Sequence, residues 1–198
     1  MADHQWVDGY DRWWSEDGVV GAVQRFLAQW QPEDWSDADV TCLLYLLEES
    51  TTDYLAELVA HTESMTLSIA KHSLARGGTA GDDIATRLGL CTERGEAAEI
   101  LLMEYMGAAR ERTRRIALLS LASLGSTAVP ELAVAAWTSG DEHQRIGALS
   151  ALKAVGSDLY PEYLSQALVD GREHLVAFAE RCAAERNTDP PQPDVQHR

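Results

Sequence analysis

From residue 36 to residue 186, apolar side chains recur three and four positions apart, the spacing of an α-helix with one face turned inward. "SDADVTCLLYLLEES" (36–50) places Val40, Leu43, Leu44 and Leu47 on one face, behind Ser36 as N-cap and with Asp37 and Asp39 in the first turn. "TTDYLAELVAHTES" (51–64) continues with Tyr54, Leu55, Leu58 and Val59, and "MTLSIAKHSLARGG" (65–78) with Met65, Ile69 and Leu74. "DDIATRLGLC" and "EAAEILLMEYMGAA" complete a further helix pair. "GREHLVAFAERCAAER" (171–186) predicts a C-terminal helix packing through Leu175, Phe178, Ala179 or Cys182. Beyond it, "NTDPPQPDVQHR" has three prolines in twelve residues and no apolar period, so 187–198 is expected to be a disordered tail.

An internal repeat organises the second half. "RERTRRIALLSLASLGSTAVPEL" (110–132) aligns with "DEHQRIGALSALKAVGSDLYPEY" (141–163) at an offset of 31. Arg114 falls on Arg145, Ala117 on Ala148, Leu118 on Leu149, Leu121 on Leu152, Gly125 on Gly156 and Pro130 on Pro161. Each unit reads as two helices. The first ends at a glycine able to take the left-handed conformation, and the second begins near a proline, whose missing N–H is no loss in a first turn. Glu131 then sits near the positive end of the helix dipole.

These units resemble the HEAT-like repeats common in bacterial proteins. "DEHQRIGALSALKAVG" carries that pattern as Asp141, Arg145, Ala148, Leu152 and Gly156, whereas the preceding unit has Arg110 at the aspartate position. The resemblance, clearest over 110–163, implies an all-α fold: a right-handed α-solenoid of about four to five helix pairs with an irregular N-terminal cap, used for protein contact. The expected organisation is a cap over 1–35, a solenoid over 36–186 continuous with it, and the tail.

The N-terminal third raises a different question. In "WVDGYDRWW" (6–14), Trp6, Tyr10 and Trp13 share one helical face and can cap the stack, with Val19, Val20, Val23, Phe26, Leu27 and Trp30 as the facing apolar surface. Trp14 lies about 100° round from Trp13, and Trp35 sits in the polar turn "QPEDWSDAD". Exposed rings among Asp11, Glu16, Asp17, Glu33, Asp34 and Asp37 have the composition of an interface hot spot for a basic protein, which makes these residues the candidate contact set. Structural capping is the competing reading of the cluster.

Charge sharpens the second reading. The net charge is −16, and residues 1–64 hold 14 acidic side chains against two arginines, while 65–109 hold six against four and 110–198 hold 12 against 10. Three quarters of the excess therefore lies in the first third, a field that repels phosphate backbones and speeds encounter with a cationic protein. Nucleic acid is disfavoured as a partner. No basic start precedes an apolar run at the N-terminus, and "CLLYLL" (42–47) is far short of a bilayer span, so a cytoplasmic protein without membrane contact is expected, a monomer being favoured.

Three dispersed cysteines, Cys42, Cys91 and Cys182, form no C-x-x-C pair, and six histidines form no H-x-x-x-H pattern, so neither a metal nor a cofactor site is expected. "ARGGTAGDD" (75–83) lacks the Lys-Ser/Thr of a phosphate-cradling loop and reads as a flexible connection between repeats. "RERTRR" (110–115) is the one basic cluster, with Arg114, like Arg145, read as a structural arginine bonding a neighbouring turn. No catalytic constellation emerges. A small, acidic solenoid of this kind is similar to bacterial immunity proteins that occlude a cognate, basic toxin. An adaptor or assembly scaffold is the alternative. A HEAT-like alkylpurine DNA glycosylase is opposed by the charge and by the lack of a basic stripe, and nothing marks the bilin site of the lyases built on such repeats.

Overall fold

The computed structural model describes residues 16–49 and 53–188. Among them, eleven α-helices and one 3-10 turn follow one another with no strand. They are α1 (Glu16–Gln29), the 3-10 turn (Pro32–Asp34), α2 (Asp37–Glu49), α3 (Asp53–Val59), α4 (Glu63–Arg76), α5 (Ala80–Leu88), α6 (Gly95–Tyr105), α7 (Glu111–Ser123), α8 (Val129–Thr138), α9 (Glu142–Ala154), α10 (Tyr160–Leu168) and α11 (Glu173–Thr188). No helix is long and apolar enough to cross a membrane among the described residues.

The caps follow from local chemistry. Ser36 Oγ accepts from the Asp39 N–H at 3.3 Å while the Asp39 carboxylate accepts from the Ser36 N–H at 2.9 Å, so two otherwise orphaned groups at the start of α2 satisfy each other. Thr62 caps α4 through the Met65 N–H, and Asp141 caps α9 through the Gln144 N–H. Arg110, at the repeat position of Asp141, supplies no side-chain cap to α7.

The two aligned units close alike. Gly125 and Gly156 have φ of 70° and 63°, and Ser126 and Ser157, next in the chain, donate N–H bonds of 3.0 Å to Leu121 and Leu152. A β-carbon would clash with the following carbonyl in that left-handed turn, which is why glycine recurs at an offset of 31. Each serine hydroxyl then accepts from the N–H two residues on, turning the chain into the next helix.

Packing runs serially along the chain. Helices α5, α7, α9 and α11 form one row in which each touches the next, and α2, α4 and α6 form a second. Helix α8 lies against α7 and α9, and α10 against α9 and α11. One core runs through the rows, from Val23 through Leu44, Ile69, Leu88, Leu102 and Leu118 to Leu149 and Leu175. Among the described residues, every side-chain hydrogen bond that reaches more than eight residues along the chain spans 25 to 35 of them. Helix α11 enters this register through Glu142, which accepts from the N–H groups of His174 and Leu175 at 3.1 Å.

Several sequence expectations need revision. The segment 75–83 is not a long flexible connection: α4 ends at Arg76, Gly77 takes the left-handed conformation as its cap (φ 72°), and α5 starts at Ala80. Tyr54 leaves the inward face of a helix shorter than 51–64, because α3 makes only two turns and buries Leu55, Ala56 and Val59 instead. Trp30, expected among the apolar partners of α1, lies past the helix end and is exposed.

Candidate functional site

Of the eight predicted contact residues, Asp11 and Trp14 lie outside the described residues, as do the side chains of Glu16 and Asp17 at the start of α1. Glu33, Asp34, Trp35 and Asp37 are brought together by the 3-10 turn and the first turn of α2. Pro32 opens that turn, and Asp34 and Trp35 donate N–H bonds back to Gln31 and Pro32 at 2.9 and 3.4 Å. Glu33 and Asp34 project from it, exposed.

Trp35 departs from its expected role. Its ring is part-buried against the core, 5.8 Å from the Phe26 ring and tilted 40° to it, and its indole N–H points to the Trp30 carbonyl at 3.4 Å. The turn folds the ring back onto α1, so an apolar partner is found despite polar sequence neighbours. Tilted ring pairs at this separation add roughly 1 kcal/mol beyond the area they bury. Trp35 thus anchors the acidic turn.

The exposed large aromatics among the described residues are Trp30 (45%), Tyr45 (44%) and Tyr54 (49%), all within this N-terminal region. Tyr54 is steadied by a 3.2 Å bond from Gln24 of α1 to its hydroxyl. Tyr45 borders a shallow, open depression with Asp37, Ala38, Thr41, Cys42 and Arg76. Within it, Arg76 donates from Nε and Nη2 to one Glu48 oxygen at 3.1 and 2.8 Å, which holds the guanidinium charged. Asp37 is almost fully exposed and lies 4.0 Å from His72. The Ser36 hydroxyl and N–H hold Asp39 below the usual carboxylate range. Residues 30–54 therefore carry exposed rings and carboxylates, of which Asp37 and Tyr45 share one depression beside the Ser36-capped start of α2.

The basic cluster is largely tied into the fold. Asp82, 6% exposed, accepts from the Thr113 hydroxyl at 2.5 Å and faces Arg110 and Arg112 at 3.5 and 3.3 Å. Arg114 donates to the Ala108 and Ala109 carbonyls at 2.7 and 2.8 Å, and Arg115 to Glu111 at 3.0 Å. Arg145 donates to the Trp137 carbonyl at 3.1 Å, stacks over the Trp137 ring and pairs with Asp170. Both repeat arginines thus bond backbone ahead of their own helix, as their spacing predicts.

Among the described residues no cluster of three or more His, Cys, Asp or Glu is placed to hold a metal ion. All three cysteines are free; Cys42 is exposed, and Cys91 and Cys182 are buried. Comparison with protein-family models, curated proteins and solved structures gives no match.

Proposed function

We propose that the chain is a protein-binding module, a right-handed HEAT-like solenoid of about four to five helix pairs that acts as a bacterial immunity or inhibitor protein, binding and occluding a basic toxin domain without catalysis of its own. The observation that carries this reading is the occurrence of exposed aromatics and exposed carboxylates within one short stretch, residues 30–54. Trp30, Tyr45 and Tyr54 supply rigid apolar area, and Glu33, Asp34 and Asp37 supply charge that Lys or Arg of a partner would meet. Trp14, Asp11, Glu16 and Asp17 belong to the same proposed surface by sequence, while Trp35 serves it from below by holding the turn. Occlusion is the mechanism: carboxylates steer a cationic cleft, and the rings exclude water once it docks.

The test is co-purification from lysate of the source cell, followed by activity assays of what is retained. The expected result is one basic protein whose activity is abolished on binding, whose capture fades with salt, and which is lost with Trp30→Ala combined with Glu33→Gln, Asp34→Asn and Asp37→Asn. A retained protein indifferent to those changes and to salt would overturn the surface. Several endogenous partners would favour an adaptor.

A further inference from the structure

Charge is sorted by helix in the second half of the chain. Helices α5, α7, α9 and α11 each carry at least one arginine, whereas α6, α8 and α10 hold Glu96, Glu99, Glu104, Glu131 and Glu162 and no lysine or arginine at all. Among the described residues none of these five glutamates is in an ion pair. Glu99 and Glu162 meet neutral donors, the Ser126 hydroxyl and the Gln166 amide. Carboxylates elsewhere, such as Glu48, Asp82, Glu111 and Asp170, each face an arginine.

The three helices are joined side by side on the α5, α7, α9 and α11 row. Each turns buried positions, among them Leu102, Ala133 and Leu164, toward the core. The Ser126 hydroxyl, in the turn before α8, donates to Glu99 of α6 at 2.6 Å. Trp137 of α8 meets Tyr163 of α10 edge-on, with ring centroids 5.0 Å apart. Their outward faces therefore look the same way. On them Ile100 and Met103 are 59% and 42% exposed, and Ala97 and Ala135 are exposed as well. The cations at the two ends of α6 are engaged elsewhere: Arg110 lies against Asp82, and Arg94 acts on Glu63. Arg145, stacked on Trp137, pairs with Asp170. Uncovered apolar area thus stands among glutamates that no cation of the chain neutralises, the complement of a basic, apolar-faced partner.

We propose that the outward face of α6, α8 and α10 binds a basic amphipathic helix of a partner protein. Its apolar stripe lies on Ile100, Met103 and Ala135, and its Lys or Arg side chains reach Glu96, Glu104, Glu131 and Glu162. A helix is the form that fits, because the outer faces of helices offer no free backbone groups. An extended segment would lose water from its own N–H and C=O groups without replacement, whereas a helix pairs them internally. Three helices at ordinary spacing put their outer axes roughly 18 Å apart, a distance that about twelve residues of helix span. The face is separate from residues 30–54, and the inference does not depend on them.

The full chain is titrated, at constant ionic strength, with an amphipathic Lys/Leu model helix of about fourteen residues, following backbone amide shifts by NMR. A scrambled peptide of the same composition keeps the charge and loses the apolar stripe. The expected result is saturable shifts centred on Ala97, Ile100, Met103, Glu131 and Ala135, with the scrambled peptide binding roughly tenfold more weakly. Glu96→Gln, Glu104→Gln and Glu131→Gln together should weaken the amphipathic peptide roughly tenfold, and Ile100→Ser severalfold. All four side chains are exposed, so the fold is left intact, and the comparison of the two peptides needs no variant. Shifts confined to residues 30–54, equal binding of both peptides, or affinity unchanged in both variants would overturn the proposal. So would shifts at the same amides on diluting the chain without peptide, which would make a second copy the occupant.

Discussion

Tyr105 of α6 donates its phenolic proton to the Ala70 carbonyl of α4 at 2.7 Å, tying together two helices that lie 35 residues apart in the chain. The ring is fully buried, and burial pushes the phenol up to about 12, with the neighbouring Ser73 hydroxyl drawing it the other way. Tyr105→Phe removes the bond while keeping the ring, for an expected loss of about 1 kcal/mol near neutrality. Because the folded value lies above the ordinary 10, the neutral phenol's contribution is complete below pH 10 and is lost as pH rises toward 12. The stability difference between wild type and Tyr105→Phe, measured by urea unfolding, should shrink and then reverse across that window. A difference flat with pH would refute the assignment.

Gly89 and Ser120 stand one repeat length apart, at the contact between the end of α5 and α7. A β-carbon on Gly89 would come within 2.7 Å of Ser120 Cβ and 2.9 Å of its Cα, and backbone cannot turn aside as a side chain can. Gly89→Ala is expected to destabilise by about 1–3 kcal/mol, with no rescue from Ser120→Ala, which leaves both carbons in place. Thermal unfolding of the single and double variants decides this.

Arg145 and Asp170 are both largely buried where Arg145 stacks on Trp137. Arg145→Met leaves Asp170 with Arg172 as its remaining charged neighbour and takes one donor from the Trp137 carbonyl, which keeps the Gly140 N–H, for an expected cost of roughly 2–4 kcal/mol. Arg115→Met, which breaks the pair with Glu111 four residues back on the same helix, should cost roughly 0.5 kcal/mol or less. Denaturant midpoints that rank the two variants the other way would contradict this picture.

The thiols should react in order of access. Cys42 is exposed, whereas Cys91 is buried and pushed up to about 11 by desolvation and by Glu63. One equivalent of a disulfide reagent is expected to be consumed rapidly at pH 8 and two more only on unfolding. Cys42→Ser should remove the fast phase and nothing else.

The helices are legible in the sequence because their inward faces are dense. Val40, Leu43, Leu44 and Leu47 follow a helical spacing behind a capping serine, and all four are buried. Trp35 is not legible in this way, because its burial depends on Phe26, nine residues earlier, which a turn brings back over the ring. Trp30 fails for the converse reason: it continues an apolar series past the point where the helix stops. The partners of Arg110 are the least legible feature, since the Asp82 carboxylate that meets it and Thr113 comes from α5, 28 residues earlier, and nothing local in the sequence announces it.

The common reach of the long side-chain bonds has a mechanical consequence. A cut between any two neighbouring layers severs only the bonds crossing that cut, and no clasp joins distant layers among the described residues. The molecule should therefore fray from its ends inward, with amide exchange fastest in the outermost helices and slowest around Tyr105, Leu118 and Leu121, where cores from both sides meet. A strain applied at one end reaches the other only by passing through every layer between.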